Sequence, residues 1–288
     1  MKILSLCGGG TSGYMTTRLL SKIEEEIGPN YLDKFDMIAG SSTGSIIGAS
    51  LATGKTAAEV TQLYKDLHKE IFGKRRSFLV GLFLPLFDDK KLIEACEKYL
   101  GETKISEANK HLLITSLRLS RPSLRPKFWK SWDNVDKDAK LSDCVIASSS
   151  APVGFPPYKI NDVYYYDGGM VANDPSLCAI ADAIGEFGAK PELIDVLTFQ
   201  TDFHYGFDNP EKFKGMLSVA NHVSEFCIDA GERKDEYIAN RIYGRKVVTY
   251  ITPWAYFPID SNDWDSMDAK VEETWTREKE QILAFFKK

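Results

Sequence analysis

The sequence predicts a single α/β domain built on a mainly parallel central sheet with helices on both faces. Three observations carry that expectation. The chain opens on a strand-length apolar run, Lys2 to Cys7, which passes through Gly8-Gly9-Gly10-Thr11-Ser12-Gly13 into a segment where Leu19, Leu20, Ile23 and Ile27 recur at helical spacing. A second apolar run, Phe35 to Ala39, turns through Gly40-Ser41-Ser42-Thr43-Gly44 and leaves as a small-residue helix carrying Ile46, Ile47, Ala49 and Leu51 until Gly54 stops it. Further strand-length runs, His111 to Leu117 and Leu193 to Phe199, stand among helical periods with no linker, repeat or low-complexity stretch between them.

The first unit reads as strand, glycine loop, helix, with Gly28-Pro29 ending the helix. Its loop satisfies G-x-G-x-x-G, so a dinucleotide site is one reading. That reading wants an acid at the end of the second strand, where this chain has Gly40-Ser41-Ser42; Asp33 and Asp36 lie too early. A Walker loop needs a lysine after the glycines, and none follows. What remains is a loop whose bare backbone N–H groups are free to face a developing negative charge.

The second unit has the form of a nucleophile elbow, G-x-S-x-G between a strand and a helix. Gly40 and Gly44 leave room for the two backbones to approach, and Ser42 is the candidate nucleophile at the strained corner. A plain Gly/Ser loop is the alternative, and the flanking strand and helix favour the elbow.

Thr56-Ala57-Ala58-Glu59 then forms a capping box ahead of a helix with Val60, Leu63, Tyr64, Leu67 and Ile71 on one face. His68 on that helix, among charged neighbours, reads as a surface histidine. Lys74-Arg75-Arg76 leads into the most apolar run, Ser77 to Phe87, which is too short to cross a bilayer. Phe78, Leu79, Leu82, Phe83 and Leu84 are candidate lipid-facing residues, either docking at a membrane surface or forming a lid. The other reading is a buried loop or strand.

A helix over Asp88 to Leu100, the strand His111 to Leu117, a short strand at Lys127 to Trp129 and a helix over Leu141 to Ser148 follow. The small-residue and proline-rich stretch from Ala147 to Pro157 is a loop. Val163 to Tyr166 is a strand running into Asp167-Gly168-Gly169; an acid at a strand end before two glycines is well placed to enter a site, although Asp-Gly also makes ordinary turns. Pro175 to Gly185 reads as a helix, and the region after Phe199 as mostly helical. The stripe Met267, Val271, Trp275, Ile282 and Phe285 reads as a helix packed on the core.

Composition narrows the function classes. The 288 residues are 43% hydrophobic and 27% charged, with a net charge of −5, which gives no general electrostatic case for a nucleic-acid partner. Five widely spaced cysteines with no C-x-x-C pair suit reduced thiols. No secretory leader or spanning run is seen, so a cytoplasmic protein, at most peripheral at membranes, is expected.

Taken together, the glycine loop 8–13, the elbow 40–44 and Asp167-Gly168-Gly169 resemble the patatin-like phospholipase family, and so do ASSSAPVGFPP at 147–157, YYYDGGMVANDPS at 164–176 and the strand at 112–116. The likeness covers about residues 2–185 well and 186–288 loosely. It implies a three-layer fold over the whole chain and a lipid acyl hydrolase of phospholipase A or lysophospholipase type. The same resemblance implies a Ser42–Asp167 dyad without histidine, and an oxyanion hole from Gly9 and Gly10. Gly8, Gly13, Gly40, Gly44, Gly168 and Gly169 would be the motif glycines. A lipid or fatty-acyl ester would be the substrate, with no cofactor and no metal.

The chain departs from the family's usual pattern at three places. Ser12 stands where a basic residue is common, Ser45 where a second glycine is common, and Gln200-Thr201-Asp202 where a glycine-containing turn is common. Three alternatives stay open: a Ser-Asp-His esterase using His204 or His222, a nucleotide-binding module, and a catalytically weak binding or storage protein.

Overall fold

The computed structural model describes residues 1–73, 84–120, 123–152, 154–201, 223–243 and 247–288. The opening unit is present as β1 (Lys2–Leu6) and α1 (Gly13–Ile27), followed by β2 (Met37–Gly40) and α2 (Thr43–Ala52). Next come α3 (Ala57–Phe72), α4 (Lys90–Leu100), β3 (His111–Leu119), β4 (Leu124–Lys130) and α5 (Leu141–Ser149). The chain continues through β5 (Tyr158–Ile160), β6 (Val163–Tyr166), the single turn α6 (Gly169–Ala172), α7 (Ser176–Gly185) and β7 (Asp195–Phe199). It closes with α8 (Val223–Ile242), β8 (Val248–Ile251) and α9 (Trp264–Lys287). The capping box opens α3 as expected: Glu59 N–H donates to Thr56 Oγ1 at 3.1 Å, and Thr56 N–H to the Glu59 carboxylate at 2.8 Å.

The strands form one sheet in the order β5-β6-β3-β2-β1-β7-β8, with β4 also on β3. Pairing is parallel from β3 through β2, β1 and β7 to β8, and antiparallel where β4, β5 and β6 extend it. The expected mainly parallel sheet is therefore present, with an antiparallel flank. β4 runs beyond the expected Lys127 to Trp129, and β8 lies in a region read as mostly helical. A four-residue segment such as Val248–Ile251 carries too little periodicity to declare itself, and its pairing with β7 decides its state.

Alternation along β1 separates the layers. Leu4 and Leu6 enter a core shared with Leu19, Leu20, Ile47 and, from α9, Met267, Val271, Ile282 and Phe285; the C-terminal stripe is core as read. Ile3 faces the other side with Met37, Ala39, and Ala179, Ile180 and Ala183 of α7. Each fully buried aliphatic side chain in these layers stabilises the fold by about 1.5–3 kcal/mol.

β3 sets the geometry of the site. β4 pairs with it from Leu113 to Leu119, while β2 pairs with its start, Gly40 opposite Ile114, and β6 with its end, Tyr166 opposite Leu117. With β4 occupying one edge of β3, β2 and the antiparallel β6 meet head to head along the other. The residues just past their C-terminal ends are Ser41-Ser42 and Asp167-Gly168. Gly168 sits in that seam, where an added Cβ would run into Thr115 and come within 2.9 Å of Ser41 Oγ.

Candidate active site

Ser42 lies between β2 and α2 with φ 51° and ψ −124°, a backbone conformation that L side chains rarely adopt. Such strain costs on the order of 1–3 kcal/mol and persists only where the surroundings over-determine it. Ser42 N–H donates to Ser148 Oγ of α5 at 2.9 Å. Ser45 N–H at 2.8 Å and Ser45 Oγ at 2.6 Å both donate to the Ser42 carbonyl. The departure at Ser45 thus tightens the elbow. Gly44 is obligatory, because any side chain there would run into the Leu6 carbonyl.

Asp167 is 4% exposed. Its Oδ1 accepts from Gly169 N–H at 2.7 Å, while Oδ2 is buried without a hydrogen-bond partner. Burial pushes the carboxyl up to about 6, against the opposing pull of the Ser42 hydroxyl and the Gly169 N–H. The Ser42 hydroxyl thus lies close enough to Asp167 to oppose that rise. A carboxyl of pKa about 6 is a better base than the ordinary aspartate near 3.8.

The glycine loop faces the elbow. Gly10 has φ +56°, and Thr11 N–H donates to the Ile259 carbonyl at 3.0 Å. Among the described residues, the Gly9 and Gly10 N–H groups donate to no acceptor. Gly8 lies against Ser42, where an added Cβ would come within 2.9 Å of the Ser42 Cβ, and Gly13 lies against Thr43 at the start of α2. Gly40 abuts Gly44, and Gly169 abuts Asp167 Oδ1.

A cleft of about 650 Å³, partly open to solvent, runs from Ser42 between α2, α3 and α4. Its walls are mainly apolar: Ile46, Leu63, Ile71, Phe72, Leu92, Phe155 and Ile259, with Gly10 and Thr11 at the serine end. His68 lines this cleft and is hydrogen-bonded through Nε2 to the Asp260 carbonyl at 3.0 Å, which corrects its reading as a surface histidine. Its charged sequence neighbours Lys69 and Glu70 are exposed, while its own ring packs on Phe72 and Trp264.

Of the candidate lipid-facing residues, Phe78, Leu79, Leu82 and Phe83 lie outside the described residues, as do His204 and His222. Leu84 is 54% exposed, whereas Phe87 at the end of the run is buried against Phe72 and Phe155, the core reading for that end. No helix among the described residues is long and apolar enough to cross a membrane. Among the same residues no group of three His, Cys, Asp or Glu side chains could hold a metal ion.

Sequence reasoning missed Ser148, Asn173, Thr201 and Ile259. Asn173 Nδ2 and Thr201 Oγ1 both donate to the Gly8 carbonyl, and Ile259 closes over Gly10. Ser148 and Asn173 stand inside segments 147–157 and 164–176 that drew notice without a role; Thr201 and Ile259 had no local signal.

The parallel sheet, the strained serine beside a buried carboxylate and the bare glycine loop define an α/β protein of the serine-elbow class. The model of the patatin-like phospholipase family matches residues 4–180, and the chain belongs to that family of lipid ester hydrolases. It is 34% identical over 199 residues to a cGAMP-activated phospholipase of Escherichia coli (strain TW11681), covering 63% of this chain and 55% of that one. It is 29% identical over 235 residues to patatin-like protein 3 of Arabidopsis thaliana, covering 67% of this chain and 54% of that one. The chain therefore spans about half the length of these relatives. Among solved structures, VipD from Legionella pneumophila shares the fold, with a TM-score of 0.52 at 12% identity over 99% of this chain and 66% of that one.

Proposed function

We propose that this chain is a lipid acyl hydrolase of phospholipase A or lysophospholipase type, cleaving fatty-acyl esters through an acyl-serine intermediate. The observation that carries the reading is the pairing of a strained Ser42 with the unpartnered, buried Oδ2 of Asp167 at the end of an apolar cleft. In the first step Asp167 accepts the Ser42 proton while Oγ bonds to the ester carbonyl carbon, and the carbonyl electron pair moves onto oxygen. Gly9 and Gly10 N–H groups receive that oxyanion, each such donor worth about 2.7–4 kcal/mol. As the tetrahedral species collapses, the C–O bond breaks and the proton passes from Asp167 to the leaving alcohol or lysolipid. Water then attacks the acyl-serine with Asp167 again as base, releasing the fatty acid and restoring Ser42.

The apolar walls suit an acyl chain, and among the described residues that line the cleft there is no Lys, Arg, Asp or Glu. Peripheral contact with a membrane through the region around Leu84 belongs to the same proposal. The test is hydrolysis of a p-nitrophenyl acyl ester and of a defined phospholipid, in chelator, by wild type, Ser42→Ala and Asp167→Asn. Each is run with and without cGAMP, the ligand in the Escherichia coli relative's name. Activity in wild type alone supports the dyad; a fully active Ser42→Ala overturns it. Loss of activity in a His204→Ala, His222→Ala double variant, comparable with that of Ser42→Ala, would instead favour a histidine triad.

A further inference from the structure

Asn173 stands between the two halves of the site. An added Cβ on Gly8 or on Gly169 would run into Asn173 Oδ1, so this one amide fills the gap between the glycine loop and the Asp167 turn. Its backbone carbonyl accepts from Gly8 N–H at 3.4 Å, and its Nδ2 donates to the Gly8 carbonyl at 3.3 Å. The second Nδ2 hydrogen goes to Glu232 Oε1 of α8, at 2.6 Å. Glu232 is 3% exposed and lies beyond residues 4–180, which the family model matches.

A side-chain amide has a donor end and an acceptor end, and a carboxylate can only accept. Glu232 Oε1 and the Gly8 carbonyl, both accepting from Nδ2, together determine which end of Asn173 points their way. With the amide reversed, Oδ1 would face both the Glu232 carboxylate and the Gly8 carbonyl, two acceptor–acceptor contacts in a buried setting. Without Glu232, the longer hydrogen bond to the Gly8 carbonyl would have to hold the orientation alone. Keeping a carboxyl group here is costly, since burial and the neighbouring Asp174 both push its pKa upward. An apolar residue would pack at that depth more favourably.

We propose that Glu232 is a positioning residue: through the Asn173 amide it fixes the Gly8 carbonyl and hence the direction in which the Gly9 and Gly10 N–H groups point. The inference deepens the reading of the glycine loop as an oxyanion hole and rests on it. It assigns to α8 a part in the reaction although no atom of α8 need touch the substrate.

The experiment compares wild type, Glu232→Met, Glu232→Gln, Asn173→Ala and the Glu232→Met, Asn173→Ala double variant on a soluble p-nitrophenyl ester. Methionine keeps the volume and removes the acceptor, and glutamine keeps an acceptor oxygen. The expected result for Glu232→Met is a kcat about tenfold lower with KM within about twofold, because the hole acts on the transition state. Glu232→Gln is expected within about threefold of wild type, and Glu232→Met to add nothing in the Asn173→Ala background. Should Glu232→Met fail to fold, Glu232→Asp replaces it, with an expected loss of about fivefold in kcat at unchanged KM. Unchanged kcat, an equal defect in the Gln variant, or an undiminished effect without Asn173 overturns the proposal. Amide exchange of the 7–13 peptide, expected about tenfold faster in Glu232→Met, reads the loop without catalysis. If wild type hydrolyses no ester, the functional reading fails and exchange alone decides: faster exchange upholds the positioning role, and unchanged exchange overturns it.

Discussion

Burying the Asp167 carboxyl carries a cost in stability, and that cost can be measured. Its carboxyl titrates near 6 in the folded protein against 3.8 for an ordinary aspartate, because burial disfavours the charge. A folded-state pKa above the unfolded one means that the folded state holds the proton more tightly. The associated stabilisation is fully present below pH 3.8 and is lost as pH rises through about 6. At 1.36 kcal/mol per pKa unit the total is about 3 kcal/mol, of which about 2 kcal/mol falls between pH 4.5 and 8. Asp167→Asn removes the titration while keeping an acceptor for Gly169 N–H. Its stability relative to wild type should therefore improve by about 2 kcal/mol on going from pH 4.5 to pH 8. The other buried acids, Asp174 and Glu232, are common to both proteins and cancel in the difference. Urea unfolding of both proteins at the two pH values measures the quantity. A difference that stays constant, or shrinks at pH 8, refutes the reasoning.

Further outcomes follow from the same site. With the ionised Asp167 carboxylate as the proposed base, kcat/KM should rise about tenfold per pH unit below 6 and level off above it; a flat profile from pH 5 to 8 would point to another base. Gly10→Ala places a Cβ against Ile259 at a residue with φ +56°, and should lower kcat by about 10²-fold on the soluble ester. Near-normal turnover there would remove the Gly10 N–H from the oxyanion hole. Leu84→Asp should reduce binding to anionic phospholipid vesicles and hydrolysis of aggregated lipid while sparing the soluble ester. Equal loss on both substrates would make the Leu84 segment part of the core.

The front of the site was legible because each part is a local pattern. Ser42 needs a strand, small residues on either side and a helix, and all of these lie within 35–51; Asp167 needs a strand end followed by glycines. The register that brings them together was not legible. It depends on β2 and β6 sharing one edge of β3, and no local spacing encodes that. His68 was misread for a similar reason: its sequence neighbours are charged, but its ring contacts Trp264 and the Asp260 carbonyl from the far end of the chain. The shift of Asp167 was also invisible, since burial is a property of the assembled layers.

These long-range contacts assign a purpose to the C-terminal third. The family match ends at residue 180, yet three of the groups that define the glycine loop come from beyond it. Thr201, just past β7, and Glu232, through Asn173, hold the Gly8 carbonyl, and the Ile259 carbonyl anchors Thr11 N–H. β7 is also the parallel neighbour of β1, the strand from which the loop springs. Ser42 and Asp167, the proposed nucleophile and base, belong to the matched stretch, whereas the rear support of the glycine loop belongs to the rest. An oxyanion hole is effective only if its donors are oriented before charge develops, since reorientation during the reaction would consume the stabilisation they provide. A patatin-like elbow without these later segments would keep its serine and aspartate and lose the rigidity of its donors. On the proposed mechanism, the chain beyond residue 180 contributes to catalysis through the direction of two N–H groups.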